Sequence, residues 1–409
     1  MACFRIGGIC SAESGVMHAA HISFQKQPGR SPLRVGFVPT IDCAVLIAAQ
    51  ELRLFHKHGV EVKLCREIGW ATIREKLLHE ELEAVHAHAS MAFSIHCGMG
   101  VVARPCLTGL VLGLNGSAIT LSKELWDRGV RDAASLGRLI RKEKNSRVFT
   151  FGTVLDLSSQ NYNLQKWLRS GGIDVAGDVR IMIIPSSLIH ESLRQGHLDG
   201  YCVAEPWNSA VTLDGTGWIA ATAAEIEPRH PEKILLVLQE FAERREEEHL
   251  RMLSALIEAS MFCDTPEHRP ELVRMLAQSK YLDIEPGVLK NALVGPLATG
   301  HGPCPVDEFI IYHRGQANVP DEAKGKWAFD MIQSLQPGGE HPTFRREVIG
   351  KIFREDIYRK AVRRCEGIPQ SESRALPVPA PEASPKTPFP ASRQSGFLKP
   401  HRVATVLAL

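Results

Sequence analysis

The sequence lacks the features that mark several common classes of protein. Its ten cysteines are scattered and form no C-x-x-C pair, so the tight ligand spacing of a zinc site is missing. No apolar run approaches the ~18 residues that a membrane-spanning helix needs. The formal net charge is only +2 over 409 residues, which gives no electrostatic reason to expect an anionic partner surface. We therefore expect no membrane span and no direct nucleic-acid binding.

Recognisable catalytic motifs are also missing, because the sequence contains no G-x-S-x-G, no H-E-x-x-H and no P-loop. His86 and His88 alternate near the end of a predicted strand, where they could form a metal or anion pair or serve as hydrogen-bonded structural groups. Asp42 beside Cys43 would raise the thiol pKa rather than activate the sulfur. The sequence favours binding over catalysis, with no cofactor and no metal.

The first residues do not match a secretory signal. Arg5 is followed by only five residues of an apolar stretch, 6–10, before Ser11. A signal peptide needs an apolar segment of about 7–15 residues. We expect a cytoplasmic protein, with a periplasmic, membrane-associated location as the alternative if the assigned start is wrong.

The sequence does contain a repeated alternation of apolar strands and amphipathic helices, typical of a parallel α/β sheet. It runs through 33–117 and starts again over 118–207, and the chain to 365 is predicted to be mainly helical. We expect a discontinuous first lobe, 33–117 with 208–365, and a second lobe, 118–207. Residues 1–32 are predicted to be a disordered leader and 366–409 a disordered, proline-rich tail.

Three local predictions bear on the site. Asp42 is predicted to cap a helix over 43–57, and Ser158 a helix that ends at Arg169. Residues 200–203 form a predicted strand, followed by Glu205-Pro206 at the start of the next helix. We interpret residues 201–208 as the floor of a small-ligand site, although an ordinary strand-to-helix junction would look the same.

Six segments together carry a resemblance to a known family. They are residues 33–44 (LRVGFVPTIDCA), 69–77 (GWATIREKL), 114–120 (LNGSAIT), 202–208 (CVAEPWN), 230–233 (HPEK) and 258–264 (EASMFCD). In these segments the chain resembles the nitrate- and bicarbonate-binding solute receptors of ABC transporters and their cytoplasmic relatives, the NasS-like nitrate sensors. The resemblance covers about residues 33–364. It implies an α/β, two-lobe type II periplasmic-binding-protein-like fold that closes on a small oxyanion.

The resemblance also implies five ligand-binding residues. Trp70 would wall the pocket and offer its indole N–H, and Lys233 matches the cationic position of nitrate binders. Ser117 replaces the usual glutamine, Gln160 aligns with a usual histidine, and Ala204 replaces a glycine whose backbone meets the anion. Either Trp70 or Lys233 could instead have an ordinary structural role, as a packed ring or a solvated turn lysine.

The implied chemistry favours nitrate or nitrite over bicarbonate. Nitrate has only acceptor oxygens, so it needs donors and a positive charge. Bicarbonate would want an acceptor near its hydroxyl, and position 233 is not a carboxylate. The hypothesis is a cytoplasmic sensor that controls a regulatory partner such as an RNA-binding antiterminator. The alternatives are the binding component of a nitrate, nitrite or bicarbonate ABC transporter, which works with a permease, and, less favoured, an enzyme resembling thiamine-pyrimidine synthases.

Overall fold

A computed structural model describes residues 31–336 and 344–366, and the structural statements below concern those residues. The strands are β1 (Leu33–Phe37), β2 (Val62–Arg66), β3 (Ala84–His88), β4 (Cys106–Asn115), β5 (Ser117–Ser122), β6 (Phe149–Thr153), β7 (Val179–Ile183), β8 (Gly200–Ala204), β9 (Gly217–Thr222), β10 (Pro231–Leu238), β11 (Leu297–Thr299), β12 (Gly302–Cys304) and β13 (Ile310–Ile311).

The α-helices are α1 (Ala44–Glu51), α2 (Leu54–Lys57), α3 (Trp70–Leu78), α4 (Ala89–Cys97), α5 (Lys123–Asp127), α6 (Ala133–Glu143), α7 (Ser159–Ser170), α8 (Ser186–Arg194), α9 (Trp207–Asp214), α10 (Ala223–Ile226), α11 (Gln239–Arg244), α12 (Glu246–Asp264), α13 (Arg269–Leu276), α14 (Pro286–Leu293), α15 (Glu322–Leu335), α16 (Ile349–Ile352) and α17 (Glu355–Glu366). None of these helices combines the length and the apolar character needed to cross a membrane.

The first sheet has the strand order β13-β4-β10-β3-β1-β2. Its strands β1, β2 and β3 are parallel, as the alternating pattern predicts, but β10 runs antiparallel between β3 and β4. Apolar side chains of α1 and α12 pack in one core cluster with β1, and those of α4 and α15 pack in another with β3. The sheet is therefore covered on both faces, which explains why its strands are apolar runs.

The second sheet has the order β7-β6-β8-β5-β9 and its own core, which includes Phe149, Leu164 and Cys202. The chain passes from the first sheet to the second at Asn115 and Gly116, whose φ angles of 60° and 88° turn the backbone sharply. The chain returns to the first sheet in the segment between β9 and β10. The two α/β sheets confirm the predicted fold class.

The predicted end of the second lobe at Trp207 needs correction. Strand β9, residues 217–222, pairs with β5, so the second sheet continues past Trp207. The return crossover to the first sheet therefore lies after β9 and not at Trp207. Both β9 and β10 lie in a region that was predicted to be mainly helical, so neither strand was found from the sequence. The predictions for the leader 1–32 and the tail 366–409 fall, apart from Ser31, Pro32 and Glu366, outside the described residues.

Other local predictions differ from the structure. The helix predicted over 43–57 is interrupted at Arg53, which has a left-handed φ of 56°. In the part predicted to be mainly helical, Arg245 separates α11 from α12. Ser158 caps α7 as predicted, accepting a hydrogen bond from the Asn161 backbone N–H at 3.1 Å.

Helices α6 and α7 approach closely at Gly137. A Cβ atom added there would lie 2.3 Å from the backbone oxygen of Gly171, a contact that flexible side chains cannot relieve. We expect Gly137→Ala to lower the free energy of unfolding by about 2 kcal/mol, the range measured for overpacked sites. Gly287→Ala in α14 is the matched control, because its added Cβ meets no atom within 4 Å and should stabilise the helix slightly. Urea unfolding of both variants tests this, and equal free energies would contradict it.

Candidate functional site

Lys233 lies near the start of β10 and is fully buried, rather than being a solvated turn lysine. Along β4, Pro231 pairs with Leu114 while Lys233 pairs with the adjacent Gly113, so Glu232 is the extra residue of a β-bulge. In a regular strand Glu232 and Lys233 would face opposite sides of the sheet. At the bulge both side chains enter one buried cluster, with Lys233 Nζ 2.8 Å from Glu232 Oε1.

Asp42 is the second carboxylate that faces Lys233. It sits in a 3-10 turn, residues 41–43, and its Oδ2 lies 2.7 Å from Lys233 Nζ. The Thr40 hydroxyl donates to Asp42 Oδ1 at 2.5 Å, and His86 Nε2 lies 3.0 Å from the same oxygen. Burial favours the neutral acid, but Lys233 and then His86 outweigh it and hold the pKa of Asp42 well below its usual range. The predicted helix-capping role of Asp42 is therefore wrong, since its carboxylate belongs to this cluster.

Four polar atoms surround the Glu232 carboxylate. They are Ser159 Oγ at 2.7 Å, Gln160 Nε2 at 2.8 Å, Lys233 Nζ at 2.8 Å and His230 Nε2 at 3.0 Å. Three of them are donors, and the fourth is an imidazole nitrogen of His230, whose other ring nitrogen lies 2.7 Å from the Glu227 carbonyl oxygen. Burial opposes its charge, yet Lys233 and His230 keep the pKa of Glu232 well below the usual value. For Lys233, burial lowers the pKa, but Asp42 and Glu232 raise it above its ordinary value overall. The three groups are thus held in their charged forms by one another.

Trp70, the first residue of α3, forms an aromatic wall beside this cluster. Its ring centroid lies 4.4 Å from that of His88 and 5.3 Å from that of His86, and Lys233 Nζ stands 5.2 Å from the indole centroid. The Trp70 indole N–H is buried and has no hydrogen-bond partner among the residues that the structure describes. Burial lowers the pKa of both histidines, and Lys233 adds to the effect at His88, so both rings are neutral at neutral pH.

Ser117 and Ala204 are cross-strand partners on β5 and β8. Both residues are buried, and within the described residues the Ser117 hydroxyl has no oxygen or nitrogen partner. Two residues before Ala204, burial and then Glu232 raise the pKa of Cys202 well above its usual value, with the neighbouring Ser117 hydroxyl and Lys233 acting in the opposite direction. Helix α7, whose first two residues bond Glu232, packs on β5 and β8 and so places both strands beside the charged cluster.

The segment after Ala204 links the two parts of the fold. The backbone N–H of Ile41 donates to the carbonyl of Glu205 at 2.8 Å. The backbone N–H of Glu205 donates to the carbonyl of Gly116 at 3.2 Å. Burial raises the pKa of Glu205 to about 7, although its carboxylate accepts the Ser209 backbone N–H at 3.0 Å. The interpretation of 201–208 as the floor of a ligand site stays a prediction.

The structure sorts the five predicted residues into three kinds. Trp70 and Ser117 hold buried donors with no oxygen or nitrogen partner in the described part of the chain, whereas Gln160 and Lys233 already donate to Glu232. Ala204 contributes backbone beside Ser117. Four members of the cluster were not predicted from the sequence, namely Asp42, Glu232, Ser159 and His230. Asp42, Glu232 and His230 lie within the quoted segments 33–44 and 230–233, so those segments could have identified them.

The chemistry of the cluster suits binding of an ion by hydrogen bonds and charge. Burial raises the pKa of Cys43, so this thiol is not an activated nucleophile. Across residues 31–336 and 344–366, no group of three or more histidine, cysteine, aspartate or glutamate side chains is arranged to hold a metal ion. Within the cluster the Lys233 ammonium faces two carboxylates, those of Asp42 and Glu232.

A family model described as the NMT1-like family matches residues 26–277. The chain belongs to the NMT1-like family. A nitrate import ATP-binding protein, NrtC of Synechocystis, is 34% identical over 340 residues, which cover 81% of this chain and 50% of that protein. The chain thus spans about half the length of the transport ATP-binding proteins that it matches. The nitrate/nitrite binding protein NrtA of Synechococcus elongatus is 26% identical, with 84% of this chain and 80% of that protein covered.

Solved structures share the fold. The periplasmic nitrate-binding protein NrtA from Synechocystis superposes with a TM-score of 0.75 at 21% identity, covering 83% of this chain and 91% of that one. The alkanesulfonate-binding protein SsuA from Xanthomonas axonopodis superposes with a TM-score of 0.56 at 16% identity, covering 77% and 96%. The predicted resemblance to nitrate- and bicarbonate-binding solute receptors and the predicted periplasmic-binding fold are confirmed.

Proposed function

We propose that this chain binds a small oxyanion, nitrate or nitrite, between its two sheets, and that it is not an enzyme. The observation that carries the proposal is the fully buried ammonium of Lys233 beside the unpartnered indole N–H of Trp70. A planar anion with three acceptor oxygens needs such donors and cannot be repelled by an indole, which has no acceptor. Several relatives carry names that refer to nitrate or nitrite, which supports this ligand class.

Bicarbonate is the second candidate, and a specific contact favours it. Bicarbonate was set aside on sequence because residue 233 is not a carboxylate, but the bulge brings the Glu232 carboxylate to within 2.8 Å of Lys233 Nζ. Glu232 could accept a hydrogen bond from the hydroxyl of bicarbonate, a group that nitrate does not have. Another relative, CmpA of Synechococcus elongatus, is named a bicarbonate-binding protein and is 21% identical.

The ligand choice is tested by calorimetric titration of the purified protein with nitrate, nitrite and bicarbonate at neutral pH. We expect saturable heat with nitrate or nitrite, because the site offers a buried cation and free donors. Chloride serves as the control anion, since it cannot span several donors as a planar oxyanion does. Binding of bicarbonate with no heat from nitrate or nitrite would contradict the choice of ligand and leave the site itself intact.

We further propose that the protein is a cytoplasmic sensor, with the binding component of an ABC transporter as the alternative. In a sensor, the anion changes the affinity for a regulatory partner, such as an RNA-binding antiterminator, by binding the two protein states unequally. In the alternative, the same closure is recognised by a membrane permease. Fractionation of cells that express the native gene separates the two, since recovery in the periplasm would contradict the sensor. Nitrate-dependent association with a candidate partner in sedimentation would support it.

A further inference from the structure

We propose that Glu232 is a built-in competitor for the oxyanion, a specificity-determining residue that holds the donors a bound anion would need. The inference rests on the proposed function and identifies the side chain that limits anion affinity at that same site. Ser159 Oγ, Gln160 Nε2, His230 Nε2 and Lys233 Nζ all lie 2.7–3.0 Å from its carboxylate oxygens. Three donors and an imidazole nitrogen around two carboxylate oxygens form the environment expected of a bound anion rather than of a single surface ion pair.

The donors come from both sheets. Lys233 and His230 belong to β10 and the residue before it, in the first sheet, whereas Ser159 and Gln160 open α7, which packs on β5 and β8 of the second. Helix α7 has 12 residues, and its first turn favours negative charge through its free N–H groups and its dipole. The carboxylate of Glu232 therefore joins the two lobes at the position where an oxyanion would join them.

An anion that approaches these donors meets a carboxylate that is already charged. Like charges a few ångströms apart repel strongly in a buried site, where water screens them poorly. Nitrate has no proton with which to bridge to Glu232, so it has to displace that carboxylate to reach Lys233 and Gln160. The indole N–H of Trp70 would bind the anion without displacing Glu232. Glu232 thus lowers the affinity of the site for anions that carry no proton. It also supports closure of the two lobes when no anion is bound.

Glu232→Gln tests the proposal, because glutamine keeps the shape and removes the charge. We expect nitrate affinity to rise about tenfold or more in calorimetric titration. Hydrogen exchange of the α7 amides without added anion should become several-fold faster, since the link between the lobes weakens. Glu227→Gln is the matched control: the Glu227 carboxylate accepts from Tyr162 Oη at 3.3 Å and Trp327 Nε1 at 3.0 Å, and the substitution keeps its backbone carbonyl, which lies 2.7 Å from His230 Nδ1. It should leave nitrate affinity unchanged.

The outcomes separate this proposal from the proposed function. Nitrate affinity that is unchanged or lower in Glu232→Gln would overturn the competitor role while leaving oxyanion binding in place. If hydrogen exchange of α7 is faster in Glu232→Gln but neither the wild type nor any variant binds an anion, the link between the lobes is supported and the proposed function is contradicted. If Glu232→Gln does not fold, Glu232→Asp carries the test. It keeps the charge but withdraws the carboxylate from α7, and we expect faster exchange with a smaller gain in affinity.

Discussion

Lys233→Met is expected to weaken nitrate or nitrite binding by about 100-fold or more, which corresponds to about 2.7 kcal/mol. The substitution keeps the length of an apolar side chain and removes the ammonium that would offset the anion's charge in a buried site. Without Lys233, the carboxylates of Asp42 and Glu232 would both repel the ligand. Calorimetric titration of the variant against the wild type measures the loss.

Lys166→Met is the control for this prediction. Lys166 lies on α7 and pairs with Glu227, outside the Lys233 cluster, so its removal should leave nitrate affinity unchanged. Because Lys233→Met alone leaves two buried carboxylates without their ammonium, the double variant Lys233→Met, Glu232→Gln is made as well, which removes one charge of each sign. A nitrate affinity of Lys233→Met equal to that of the wild type, or of the double variant equal to that of Glu232→Gln alone, would contradict the assigned role.

Asp42→Asn is expected to lower the free energy of unfolding by about 3 kcal/mol at neutral pH. It removes one of the two carboxylates that neutralise Lys233, and breaking a buried pair from one side is costly because the remaining charge stays buried. Asp127→Asn is the control. Asp127 forms an exposed pair with Lys123, so this change should cost less than about 0.5 kcal/mol. Urea unfolding measures both, and similar small effects would show that Asp42 does not hold the cluster together.

The stability difference between the wild type and Asp42→Asn should depend on pH in a way that follows from the lowered pKa of Asp42. The folded-state pKa of Asp42 lies below its unfolded value because Lys233 and His86 outweigh burial. Its contribution is therefore fully present above the unfolded pKa of about 4 and is lost as the pH falls toward the folded pKa. The difference between wild type and Asp42→Asn should stay constant from neutral pH to about 5 and shrink below about 4. If the difference in free energy of unfolding between the two proteins grew as the pH fell, the pKa of Asp42 would be raised by folding and not lowered, and the account would be contradicted.

The fold class could be predicted because local patterns carry it. Apolar runs of strand length alternate with capped helices, and the cap at Ser158 and the strand 200–204 formed close to where the pattern places them. Strands β9 and β10 escaped prediction because their identity depends on pairing with β5, β3 and β4, which are distant in sequence. The lobe boundary at Trp207 failed for the same reason.

The charged cluster could be predicted only in part. Trp70 and Lys233 were found through the family resemblance, and the structure brings the Lys233 ammonium to 5.2 Å from the Trp70 ring centroid. Glu232 was missed because strand alternation would turn it away from Lys233, and only the bulge in β10 brings both side chains to one site. Asp42 was interpreted as a helix cap, since no local pattern shows that a residue 191 positions later (233 − 42) supplies its counter-ion.

A crystal structure of the wild-type protein with nitrate, or with whichever oxyanion binds in titration, tests the central claim most directly. We predict that the anion lies between the two sheets, with an oxygen about 3 Å from Lys233 Nζ and from Trp70 Nε1. We also predict that the Glu232 carboxylate moves away from Gln160. An anion bound elsewhere, with Lys233 still paired to both Asp42 and Glu232, would contradict the claim.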